Sequence, residues 1–138
     1  MNVIQGIVLV FGVLALIASV FGIINTQYIS VLERTREIGL MKALGMRGRH
    51  VRRLFQYEAA WIGFLGGTLG ALLAWGIGVF LNPWISKTIG IGENRILVFE
   101  FLPIAGLVVA LMLIAMLAGS FPARKAARLN PIDALRTE

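Results

Sequence analysis

At 138 residues the chain has room for one domain, and 58% of it is hydrophobic while only 14% is charged, against roughly 25% charged in soluble domains. Its net charge is +6, from 13 Lys and Arg against 7 Asp and Glu. It has no cysteine, which excludes disulfides, thiolate metal sites and cysteine nucleophiles; its apolar residues gather in three long blocks, which excludes an ordinary soluble core and points to a membrane protein.

The first block, residues 3–25, carries no charge and meets the length of about 20 residues that a helix needs to cross the hydrocarbon layer. Nothing basic precedes it and no A-x-A-like site follows, so it reads as a span rather than a signal peptide. Beyond it, Leu32, Ile38, Met41 and Leu44 recur as a helical stripe, with Glu33, Arg34, Arg36, Glu37 and Lys42 around them. Gly45 follows the last periodic residue, where a left-handed C′ position favours glycine. Gly48 permits a second turn, and Val51, Leu54 and Phe55 share one face of a short amphipathic helix that returns to the membrane. A cytoplasmic helical hairpin is therefore expected over about residues 30–56.

The second span, about residues 59–81, contains two rows of small residues at i, i+4 steps. Ala59, Gly63, Gly67 and Ala71 form one; Gly66, Gly70, Ala74 and Gly78 form the other. Such rows let another helix approach closely, so Gly63, Gly66, Gly67 and Gly70 are the expected packing positions, with a partner either in this chain or in a second protomer. A loop over about 82–101 leads to the third span, about 102–121. The tail, 122–138, opens on Pro122, which can kink a helix. Asn130, Pro131 and Asp133 then mark the start of a short terminal helix.

Charge sets the expected orientation. Arg34, Arg36, Lys42, Arg47, Arg49, Arg52 and Arg53 lie between the first two spans, and Arg124, Lys125, Arg128 and Arg136 in the tail; the 82–101 loop has only Lys87 and Arg95. The positive-inside rule places the first two groups in the cytoplasm, so the N-terminus is expected outside and the C-terminus inside a plasma or inner membrane. The fold class expected is an all-α membrane protein: three transmembrane helices, a cytoplasmic helical hairpin between the first and second, and a short cytoplasmic C-terminal helix.

Little chemistry is visible. The span centres hold no ionisable side chain, their main polar groups being Gln5, Ser19 and Thr68, which argues against a proton- or sodium-coupled carrier. There is no G-x-x-x-x-G-K-[ST] phosphate loop, so the chain is not expected to be an enzyme, to bind a cofactor directly or to hold a metal. His50, the single histidine, reads as a solvated turn residue. The basic run is interleaved with glutamates and flanked by spans, which disfavours nucleic acid. Anionic lipid accounts for charges at span ends such as Arg52, Arg53, Arg124 and Lys125, and a protein-docking surface better explains the glycine-bounded stripe.

The stretch ERTREIGLMKALG (33–45), the span start GFLGGTLGALLA and the tail PARKAARLNPIDALR (122–136) together resemble the C-terminal half of FtsX-like, MacB-type ABC transporter permeases. That resemblance implies a four-span permease of which this chain supplies the second to fourth spans, without the first span and the large extracytoplasmic domain, as a fragment or a split permease. It implies a separate ATPase subunit that uses ATP, and a second permease protomer. It also implies that Glu33, Arg34, Arg36, Glu37, Ile38, Gly39, Met41, Lys42, Leu44 and Gly45 dock the ATPase, with Ile38, Met41 and Leu44 as apolar anchors. The expected function is a membrane subunit coupling ATP hydrolysis to movement of the transmembrane helices. The alternative is a small membrane scaffold or regulator that transports nothing.

Overall fold

The computed structural model describes residues 3–89 and 100–129. Four helices follow in order: α1 (Val3–Glu33), α2 (Thr35–Ala43), α3 (Gly48–Ile89) and α4 (Phe101–Arg128), with no strand among the described residues. α1, α3 and α4 are each long and apolar enough to cross a membrane, and most of their large apolar side chains are exposed. An apolar exterior is stable only in lipid. The described residues thus hold three helices long and apolar enough to span a membrane.

α4 is the hub. It packs along α3 for much of its length and more lightly along α1, whereas α1 and α3 scarcely meet. The α3–α4 seam is made by small residues. A Cβ added at Gly63 would lie 2.5 Å from the Ala115 Cβ and 2.8 Å from the Leu111 carbonyl oxygen, and one at Gly119 would strike Ala59. Without side chains at these points the backbones approach closely, and dispersion holds them. Within the spans, the Ser19 hydroxyl donates to the Ala15 carbonyl at 2.8 Å and Thr68 to the Phe64 carbonyl at 2.7 Å. Both polar groups are thus satisfied inside their own helix.

Most buried side chains gather at the basic end of the bundle. Val31, Ile38, Val51, Phe55, Ala123 and Ala126 form one cluster drawn from all four helices, with Met41 and Leu129 packed against it. Gln27, one turn before Val31, is buried too. Tyr28 and Lys125 join α1 to α4 beside it. The ammonium lies 4.2 Å from the ring centroid and donates to the phenol oxygen, a cation–π contact with a polar handle.

Two helix boundaries differ from the sequence reading. α3 is one continuous helix from Gly48, so the amphipathic segment and the span are a single element, and it runs on through Pro83 to Ile89. α4 likewise passes through Pro122 without ending, and the proline is buried. The terminal helix expected after Asn130 lies outside the described residues.

Candidate functional site

The segment 33–45 leaves the membrane almost without interruption. The Arg34 amide donates to the Ser30 carbonyl at 3.1 Å and the Ile38 amide to the Arg34 carbonyl at 3.0 Å, so the helical ladder crosses the boundary. What separates α1 from α2 is Arg34 itself, whose φ of −97° and ψ of 14° fall outside the helical basin. The Thr35 hydroxyl bonds back to the Val31 carbonyl at 2.9 Å, an i−4 bond of the kind that bends helices.

α2 ends in a Schellman turn. Gly45 has φ of 98°; its amide donates to the Lys42 carbonyl at 3.1 Å, and the Met46 amide to the Met41 carbonyl at 3.0 Å. Those are the two bonds that define the motif, and they need a left-handed residue between them. The glycine after the stripe does what the sequence reading expected. Gly48 serves a different purpose from the freedom to turn expected of it: a Cβ there would lie 2.6 Å from the Ala127 carbonyl oxygen, so its bareness lets the start of α3 meet the end of α4.

The two faces of α2 are unlike. Ile38 is only 1% exposed and sits in the four-helix core, Gly39 is buried, and Met41 is packed against the same cluster. This corrects the expectation that Ile38 and Met41 are apolar anchors for a partner. Their side chains are already occupied, because α2 is too short to be held by anything other than its inward face. Lys42 is also engaged within the chain: its ammonium donates to the Ala127 carbonyl at 3.0 Å and to the Leu129 carbonyl. These carbonyls close α4, where unpaired acceptors and the negative end of the helix dipole attract a cation.

The outward face carries Arg36, Glu37, Leu40 and Leu44, with Glu33 and Arg34 just before it. Leu40 is 53% exposed and Leu44 81%, one turn apart, and Arg36 lies one turn before Leu40 in the same i, i+4 row. Arg34 reaches Glu58 only at 4.0 Å, with both side chains substantially exposed, a pair that adds little. Sequence reasoning missed Leu40. The stripe drawn through Leu32, Ile38, Met41 and Leu44 mixed residues from both faces, and the run I-G-L-M offers apolar residues to either side.

The glycine rows divide in the same way. Gly63 faces α4, and Gly67 lies against Val108 and Leu111. Gly66 and Gly70 meet nothing within 4 Å. They line, with Leu16, Val20, Ala74 and Leu107 among others, an apolar groove of about 550 Å³ left where α1 and α3 diverge. The structure therefore brings Gly63 and Gly67 to an internal seam and leaves Gly66 and Gly70 open. No cluster of metal-ligating side chains occurs among the described residues.

Comparison with known proteins covers this whole architecture. The family model described as FtsX-like permease C-terminal matches residues 9–131. The ABC transporter permease YtrF of Bacillus subtilis is 37% identical over 92% of this chain and 31% of its own length. The macrolide export ATP-binding/permease protein MacB of Hahella chejuensis is 37% identical over 92% of this chain and 18% of its own. The ABC transporter permease MJ1507 of Methanocaldococcus jannaschii is 33% identical over 96% and 34%. The chain thus spans about a third or less of the length of these curated relatives.

Proposed function

Because the chain belongs to the FtsX-like permease family, we propose that it is a membrane subunit of an ABC-type export or mechanotransmission complex, or part of one, that couples ATP hydrolysis by a separate ATPase to movement of its transmembrane helices. α2 is the docking element, and the basic end of the bundle faces the cytoplasm, as the positive-inside distribution favours. A relative whose name joins ATP-binding and permease functions, MacB, supports an ATPase partner. The open Gly66/Gly70 groove suits a further helix from a second protomer.

One observation carries the reading. α2 is fixed by its inward face to the ends of α1, α3 and α4, while Leu40 and Leu44 remain exposed outside the apolar core, among Arg36, Glu37 and Arg47. A rigid helix with an apolar ridge and a charged rim is how helix-in-groove recognition is built. A push on that ridge reaches three spans at once, from Ile38 to Val31 of α1, Val51 and Phe55 of α3 and Ala123 of α4.

The test separates docking from folding. Leu40→Asp with Leu44→Asp is expected to abolish co-purification with a co-expressed ABC ATPase subunit while leaving the far-UV circular dichroism and thermal unfolding unchanged. Ile38→Asp is expected to unfold the basic end and so to inform on stability alone. ATPase retention by the Leu40/Leu44 double variant would remove α2 as the docking element. Failure of the wild-type chain to retain any ATPase would favour a scaffold that transports nothing.

A further inference from the structure

We propose that the basic cleft where α3 begins and α4 ends binds the phosphate of an anionic phospholipid headgroup. The cleft has a volume of about 460 Å³ and is lined by Gly48, Arg49, Arg52, Arg124, Ala127 and Arg128. That is within the range of about 300–1,000 Å³ typical of small-molecule sites. Four arginines line it, and no carboxylate is among the described residues that do so. The Arg52 Nε is buried without a hydrogen-bond partner, a costly position for a charged donor.

The fold assembles this charge deliberately. Gly48 lets α3 start against the Ala127 carbonyl, which sets Arg49 and Arg52 beside Arg124 and Arg128. α3 has no acidic residue in its first turn, so its own amide donors add to a field that attracts anions. The α4 carbonyls that would offset that field are taken up by Lys42. Guanidinium forks match phosphate oxygens in bidentate fashion.

The position selects lipid over other phosphates. On α4, Leu117, Phe121, Arg124 and Arg128 fall in one row at steps of four, three and four residues. Leu117 and Phe121 are exposed apolar side chains of the membrane-crossing part. The cleft therefore opens one helical turn, about 5 Å, beyond the surface that acyl chains cover. A phosphodiester held there leaves its tails along Phe121 and Leu117. The site is separate from α2's outward ridge and does not depend on the ATPase reading.

The full chain, purified in mild detergent, is titrated with phosphatidylglycerol, phosphatidylcholine or inorganic phosphate, and bound lipid is counted by native mass spectrometry. Phosphatidylglycerol is expected to bind preferentially. Arg124→Gln with Arg128→Gln is expected to weaken it about 30-fold, a factor of about five for each charge. Arg95→Gln, in the segment between α3 and α4, leaves binding unchanged. Arg124→Lys with Arg128→Lys retains most of it, and Arg49→Gln alone, at the other wall, gives a loss of about fivefold should the double variant not fold. Equal retention of phosphatidylglycerol and phosphatidylcholine, or an Arg95→Gln loss as large as that of the double variant, overturns the site. Displacement of the lipid by millimolar phosphate assigns it to a free anion and overturns the lipid assignment.

Discussion

Replacing Gly63 by alanine adds a single methyl group to the α3–α4 seam, and its effect can be worked from the contacts. The new Cβ would lie 2.5 Å from the Ala115 Cβ, 2.8 Å from the Leu111 carbonyl oxygen and 3.1 Å from the Met112 Cα. Carbon atoms pack best at about 3.5–4.0 Å, and two of these neighbours are backbone, which cannot rotate away. The helices must part by about 1 Å, a gap that forfeits a quarter to a half of each contact along the seam. Overpacking of this kind costs about 1–3 kcal/mol, against a gain of about 0.8–1 kcal/mol from alanine's better helix propensity. The net expectation is a loss of about 0–2 kcal/mol, and of about 1–3 kcal/mol relative to a glycine-to-alanine change that gains propensity without overpacking. Gly66→Ala is the matched control, since nothing lies within 4 Å of its added methyl and only the propensity term acts. Reversible unfolding in mixed micelles, titrated with SDS and followed by circular dichroism, measures both. Should Gly63→Ala prove as stable as Gly66→Ala within about 0.5 kcal/mol, close backbone approach is not what holds α3 to α4.

Lys42→Met removes the cation that closes α4, and the loss of two charge-assisted bonds to carbonyls is expected to lower stability by about 1–2 kcal/mol; hydrogen exchange should show the change concentrated in residues 123–129. Gly45→Ala forces a Cβ into a left-handed conformation and is expected to cost about 1–2 kcal/mol, read by the same SDS titration, whereas Gly45→Asn should recover part of it because asparagine tolerates that region better.

What the sequence made legible was whatever depends on local pattern. Three uncharged blocks predicted three long helices. The position of Gly45 after the stripe predicted its turn. What stayed hidden depended on which way each face of a helix turns once other helices arrive. Ile38 and Leu40 are two residues apart and both apolar, yet one is buried among four helices and the other is exposed. Periodicity over nine residues with four apolar members fits more than one stripe, so it could not separate them. Lys42 read as one of the docking residues, because its acceptors, Ala127 and Leu129, lie more than 80 residues away. The two glycine rows of α3 were equally regular, and only the presence of α4 on one side distinguishes Gly63 from Gly66.

The buried residues of α1 are confined to Gln27 and Val31, near one end of a helix of 31 residues. Along the rest of its length the helix meets α4 only lightly, with its large apolar side chains still accessible, and barely touches α3. At about 1.5 Å per residue the stretch from Val3 to Gln27 is about 36 Å long, so a tilt of about 10° about the buried end would displace the other end by about 6 Å. Such a tilt would have to repack little besides the light contact with α4.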